Sequence, residues 1–533
     1  MHGNEVQEWG ERDVAGALPS RFVCWSHQRS RRQLPIVTPQ RTDFRLPSHI
    51  HTASAVLRAL EEDTSAAAGE LFLDLVAKYF AATRTGNGQV STPHSGGELA
   101  ARFLEVLPRH GRPLAEIVKR LAVDVMADAN QLMHPMSLGH QVAAPLPAAV
   151  WSESLIGALN QSMAIWEMSP TATVIETQLV RELTGLIGWG QEAGGTFTSG
   201  GTEATFTALL AARAHALPDA WQDGVGAEPP VVLCGEHAHY CVSRAVAQLG
   251  LGMRAAVVVP SREWKMDTSV LREMLDGLAR DGRVVMAVVA TAGSTATGSF
   301  DDLETIGELC ESRGTWLHVD GAHGASALLS PAHSHRVRGL HLARSLAWDA
   351  HKMMLMPLAA GMLLVRDEAE LSQAFTQHAP YLFHGAHGER VWDQGTRSFQ
   401  CSRRAEAIKV WVAIQRYGTE GLAALYDRLS ESAHQLYELI EERTDFVTLH
   451  VPETNILCFR WVGDGALEDA VLDQINLDLR TRYNRAGHGW ITTTVLGGRR
   501  VLRVTVMNPR TTRAHLASML DELAREAIVA SSR

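Results

Sequence analysis

The sequence predicts an α/β protein: a large domain on a mostly parallel sheet, preceded by a helical region and followed by a small α+β domain. Three observations carry that expectation. From about residue 160, short β-branched runs alternate with helical periodicities, and strands separated by helices imply parallel strands joined by crossover helices. Before that point, apolar residues recur at three- and four-residue spacing, the mark of helices. Beyond residue 409, two strand candidates stand among helices.

Residues 1–45 read as irregular, with Pro19, Pro35 and Pro39 breaking any long period. Helices are expected over 53–62, 66–82, 97–106 and 114–127; in the second, Leu71, Leu75, Val76 and Tyr79 share a face. A helix over 202–216 follows a turn of Gly, Ser and Thr, with Thr202 as the expected N-cap. Strands are expected over 231–234, 255–259, 284–290, 315–319, 345–348 and 361–365, with helices over 269–280 and 302–312. The last part holds strands over 455–461 and 501–507 and a helix over 514–529. The expected regions are therefore 1–156, 157–408 and 409–533.

Bulk properties exclude several classes of function. The formal charge of -10 over 533 residues argues against a nucleic-acid binder, which would carry a basic face. No apolar run reaches membrane-spanning length, and the acidic residues Glu5, Glu8, Glu11 and Asp13 disfavour a secretory signal. Six widely spaced cysteines without a CxxC pair read as reduced thiols of a cytoplasmic protein. The 24 histidines form no HExxH or Cys/His ligand pattern, so no metal site is expected.

The chemistry concentrates at strand ends. Lys352 follows the run 345–348 and Asp320 closes the run 315–320. A lysine amine and a carboxylate so placed suit pyridoxal phosphate: the amine forms a Schiff base, and the carboxylate keeps the pyridine nitrogen protonated. The turn before Thr202 is small enough for backbone N–H groups to approach a phosphate at a helix start. His239, after another strand, can lie over the pyridine face, and Thr291, ending a fourth, can bond the phenolate. Taken singly, each residue is more often an ordinary surface or capping group. Together they point to the crevice at the carboxyl edge of the sheet, where ligands of open α/β folds bind.

These segments resemble the group II pyridoxal phosphate-dependent amino-acid decarboxylases. The matching stretches are TSGGTEA (198–204), EHAHY (236–240), LGLG (249–252), ATAGST (290–295), HVDGAHG (318–324), WDAHKMM (348–354), YLF (381–383), CSRRAEAIKVW (401–411) and LRVTVMNP (502–509), in the family's order. The resemblance implies a fold-type I, aminotransferase-like large domain and a homodimer with active sites at the subunit interface. It makes Lys352 the Schiff-base lysine, Asp320 the pyridinium partner, His239 the stacking base and Ala322 the packing on the other ring face. Gly201, Thr202 and His351 would contact the phosphate, with Asp349 beside them and Thr291 near the phenolic oxygen. Tyr381 would protonate the α-carbon, Arg403 would bind a substrate carboxylate, and Gln141 would touch the substrate. Two departures stand out: His323 occupies a position where many relatives carry an aromatic residue, and Asp349 replaces a frequent Asn.

The expected reaction is decarboxylation of an L-amino acid to its amine. Arg403 favours an acidic substrate, aspartate slightly ahead of glutamate and cysteine sulfinate. The alternatives are 2,4-diaminobutyrate, an aromatic amino acid, or another pyridoxal phosphate reaction on the same fold.

Overall fold

The computed structural model describes residues 50–375, 379, 383 and 392–531; Tyr381 lies outside them. Two compact units are present, residues 1–65 and residues 66–533. The described part of the first is the helix Ile50–Asp63 and the turn at Thr64 and Ser65.

The second unit is organised on a seven-stranded sheet. Its strands are β1 (Gly194–Thr198), β2 (Val231–Gly235), β3 (Ala256–Val259), β4 (Val285–Thr291), β5 (Trp316–Asp320), β6 (Ser345–Asp349) and β7 (Gly361–Val365), in the spatial order β1-β7-β6-β5-β4-β2-β3. The pairs from β3 through β6 are parallel, and β7 runs antiparallel to both β6 and β1. The mostly parallel sheet expected from the alternation of strands and helices is the one observed. Its strands read as continuous apolar runs because helices cover both faces, and β5, β6 and β7 are buried throughout. Trp316 and Trp348 are fully buried, and each indole N–H is satisfied by a serine hydroxyl, Ser345 and Ser326 respectively.

Register then sets the site. Thr291 pairs with Asp320, Asp320 with Ala347, and Asp349 with Gly361. The carboxyl ends of β4, β5 and β6 therefore lie level, beside the turn that leaves β1.

A smaller four-stranded antiparallel sheet follows: β8 (Phe446–Thr448), β9 (Ile456–Trp461), β10 (Thr492–Leu496) and β11 (Arg499–Thr505), in the order β8-β9-β11-β10. The segment before residue 147 runs along this sheet. Leu138 N–H donates to the Trp490 carbonyl, Thr505 N–H to that of Leu138, and Ala144 N–H to that of Met507.

Several elements depart from expectation. Strand β1 was not anticipated, because its Gly-Gly start hides the pattern. The first helix beyond residue 95 stops at Arg102. The next passes from Leu114–Arg120 into a π-helical turn over Leu121–Met126, which widens the spacing between its apolar residues. Gly200, not Thr202, stands at the N-cap of the helix Gly201–Ala216.

Candidate active site

β1 ends at Thr198, and the chain turns through Ser199 and Gly200 into the 16-residue helix Gly201–Ala216. Gly200 has φ +155°, and a Cβ on Gly201 would come within 2.7 Å of Ala322 Cβ. Across the sheet, a Cβ on Gly361 would lie 2.4 Å from Gly200 Cα. Only glycines fit this cradle, where the unpaired N–H groups of a helix start favour a phosphate.

Lys352 and His351 follow β6. Lys352 Nζ lies 3.3 Å from Asp349 Oδ2, and His351 Nε2 lies 3.4 Å from the same oxygen. The Ala360 N–H donates to His351 Nδ1 at 3.1 Å, so Nε2 carries the proton of the neutral ring. Asp349 is buried and its Oδ1 has no partner. Its charge is thus set against the lysine and imidazole from beneath the turn.

Asp320, at the end of β5, is buried, and the Ala322 N–H donates to its Oδ1 at 3.2 Å. Burial pushes this carboxyl above the ordinary range, against the pull of Lys352 and His239. A carboxylate so desolvated gains strongly from a cation brought next to it. His239 is held by the Cys241 N–H, which donates to its Nδ1 at 3.3 Å; burial lowers its basicity. Thr291 donates its N–H to Asp301 at 2.7 Å, while its hydroxyl has no partner.

One cavity of about 440 Å³ gathers these groups. Lys352, Asp320, His239, Ala322, Thr291, His351, Asp349, Gly201 and Thr202 line it, and Gln141 joins them from the segment along the small sheet, with its Nε2 unpartnered. Arg403 does not. Both arms of its guanidinium grip Glu176, at 2.5 and 2.8 Å, and Nη2 also reaches Thr196 Oγ1 at 3.2 Å. Glu176 is fully buried and accepts the Phe197 N–H as well. Arg403 therefore buttresses β1 from behind and offers no free fork to a ligand.

Sequence reasoning passed over Arg503. It is 5% exposed on β11, donating through Nε to the Ala296 carbonyl and through Nη1 to that of Gly139, with Nη2 unpartnered. Those carbonyls belong to segments that reach the cavity at Thr295 and Gln141. The available signal was a cation set between two apolar strand residues, Leu502 and Val504, which are fully buried.

The residues of this cavity fit pyridoxal phosphate. The glycine cradle suits a phosphate, the desolvated Asp320 suits a pyridinium, the free Thr291 hydroxyl suits a phenolate, and Lys352 supplies the amine. The pattern of the pyridoxal-dependent decarboxylase conserved domain matches residues 99–462. The chain belongs to that family. It is 34% identical over 428 residues to the L-2,4-diaminobutyrate decarboxylase of Rhizobium meliloti (strain 1021), covering 79% of this chain and 84% of that protein. It is 32% identical over 347 residues to the acidic amino acid decarboxylase GADL1 of Mus musculus, covering 64% and 63% respectively. Its fold matches the crystal structure of mouse CSAD in apo form with a TM-score of 0.80 at 27% identity, over 87% of this chain and 99% of that one. The protein is a pyridoxal phosphate-dependent amino-acid decarboxylase.

Bound pyridoxal phosphate supplies a conjugated ring that accepts the electron pair left when the substrate carboxylate departs. Among the described residues, no helix of this decarboxylase is long and apolar enough to cross a membrane.

Proposed function

We propose that the decarboxylase acts on a short L-amino acid with a side-chain amine, of the 2,4-diaminobutyrate kind. One observation carries this reading: Arg403, the residue that favoured an acidic side chain, is closed by Glu176. Among the described residues that line the cavity, Lys352 is the sole Lys or Arg, and two buried carboxylates, Asp320 and Asp349, stand with it. A second substrate carboxylate would be desolvated there against like charge. A side-chain ammonium meets a complementary field.

In this reading Lys352 holds the cofactor covalently, Asp320 keeps its ring nitrogen charged, and His239 and Ala322 confine the ring. Gly201, Thr202 and His351 take the phosphate, and Thr291 bonds the phenolic oxygen. Gln141 Nε2, unpartnered on the cavity wall, is the donor that takes the α-carboxylate. Tyr381 delivers the proton that replaces the departed carboxyl group. The working form is a homodimer in a reducing cytoplasm. Trp151, Leu155 and Leu159 lie exposed at four-residue spacing on the helix Pro147–Leu159, an apolar stripe suited to a partner, and the described cysteines are all unpaired.

Carbon dioxide release by the holoenzyme from a panel of 2,4-diaminobutyrate, aspartate, glutamate, cysteine sulfinate and tyrosine tests the substrate. The highest kcat/KM is expected for diaminobutyrate; a higher value for aspartate would sink the reading. Light scattering should give twice the chain mass.

A further inference from the structure

His323 stands next to Ala322 on the cavity wall, is 2% exposed, and is used by none of the roles above. Its Nε2 lies 2.7 Å from Oδ1 of Asn455, at the foot of β9. The orientation of the Asn455 amide is settled by its other contacts. Nδ2 donates to the Val506 carbonyl at 2.8 Å and points its second hydrogen at Met507 Sδ, 3.0 Å away. A flipped amide would set oxygen against oxygen at Val506. Oδ1 therefore faces the imidazole as an acceptor, and Nε2 must carry the ring hydrogen.

The consequence falls on the other nitrogen. Burial holds the ring neutral, pushing its pKa down to about 3, so Nδ1 is a bare lone pair. No protein group bonds it. A buried acceptor left empty costs about 1–3 kcal/mol, and an aromatic carbocycle would fill the same space without that cost. The penalty is removed when a ligand brings a donor.

We infer that His323, fixed by Asn455 in the Nε2–H tautomer, is a specificity-determining residue whose Nδ1 accepts a hydrogen bond from the side-chain ammonium of the substrate. This rests on the diamino-acid reading above and names the residue that enforces it. A side-chain carboxylate has no hydrogen to give at neutral pH, and its charge is repelled by the lone pair. The same imidazole thus rewards an amine and penalises an acid, which is how one residue produces discrimination.

The test compares kcat/KM for 2,4-diaminobutyrate with that for 2-aminobutyrate, which lacks the side-chain amine, in wild-type holoenzyme and in variants that retain the visible absorbance of the bound cofactor. His323→Phe should lower the ratio roughly tenfold to a hundredfold, the range for a hydrogen bond to a charged group, mostly through KM for diaminobutyrate. His323→Gln should restore part of it, because its amide N–H can reach Asn455 Oδ1 while its oxygen replaces Nδ1. If His323→Phe fails to hold cofactor, Asn455→Ser releases the tautomer without removing the ring and should lower the same ratio. Equal losses on both substrates, or an unchanged ratio, would overturn the role of His323 while a wild-type preference for diaminobutyrate left the substrate reading standing. A wild-type preference for aspartate would overturn both.

Discussion

The cavity wall and the ion-pair groups hold the same kinds of residue and treat them in opposite ways. Behind β1, Arg403 grips Glu176, and in a second group Lys409, fully buried, meets Glu153 at 2.7 Å and Glu406 at 2.5 Å. On the wall, Asp349 Oδ1, Thr291 Oγ1, His323 Nδ1 and Gln141 Nε2 have no partner in the protein. Both regions are buried, so burial does not mark the site. What marks it is that several such unused polar atoms converge on one cavity, since an orphaned polar group costs free energy that a ligand can return. The ion-pair groups spend their charges on the fold.

The sharpest way to break that contrast is to remove one lysine from each region. Lys352→Ala should cut carbon dioxide release by roughly 10⁴- to 10⁶-fold, as loss of a covalent catalytic group does. Borohydride reduction of wild type should attach the cofactor irreversibly to Lys352. Attachment at Lys409 or elsewhere, found by peptide mass mapping, would erase the distinction between the two regions.

Arg403→Ala should act on stability. It leaves Glu176 buried without its cation, a loss of about 3–5 kcal/mol, read as a lower urea midpoint. Cofactor affinity should fall with it, because β1 carries the phosphate turn, while the order of preference among substrates should stay the same. A changed preference at constant stability would move Arg403 from its ion pair to the site.

Asp320→Asn should keep the fold and lose about 10²- to 10³-fold in turnover, the scale for one preorganised electrostatic contact, together with cofactor affinity. Near-normal kinetics would show that the ring nitrogen is held by another group.

The smallest effect is in pH. His318 and His323 are buried neutral, each pushed down to about 3 from the ordinary 6.5. Below pH 6.5 the unfolded chain takes up protons that the folded chain refuses. Their contribution to stability is therefore complete above pH 6.5 and declines as pH falls toward 3, by at most about 1.4 kcal/mol per unit for each ring. Asp301, raised to about 6 by burial, and Asp320, raised likewise, oppose this, while His239, His351 and His450, each lowered by burial, add to it. Denaturation midpoints between pH 7.5 and 5 should fall on acidification, and less steeply in His323→Phe. Parallel slopes would show that His323 is protonated in the fold.

Much of this site was legible in the chain because strand ends are local features. The runs closing at Asp320 and before Asp349 show where β5 and β6 stop, and small residues between Thr198 and Thr202 show where a phosphate can approach. Parallel topology then brings carboxyl ends to one edge, so Lys352, Asp320, His239 and Thr291 fell into one cavity without knowledge of a single contact. Strand β1 was missed for the converse reason: glycines at its start carry no side-chain pattern, and its burial comes from neighbours far away in sequence.

By itself the sequence determined the order of most elements and the carboxyl-edge position of the chemical residues, which follow from short-range periodicity and turn composition, and the class of cofactor, which the paired Lys352 and Asp320 suggested and the family resemblance implied. Only the tertiary structure decided which charges are spent and which are available. Glu176 stands 227 positions from Arg403, and Asn455 stands 132 from His323. Desolvation makes each buried polar group take a partner or pay for lacking one, and that choice is made by packing across the fold, where no local pattern reaches.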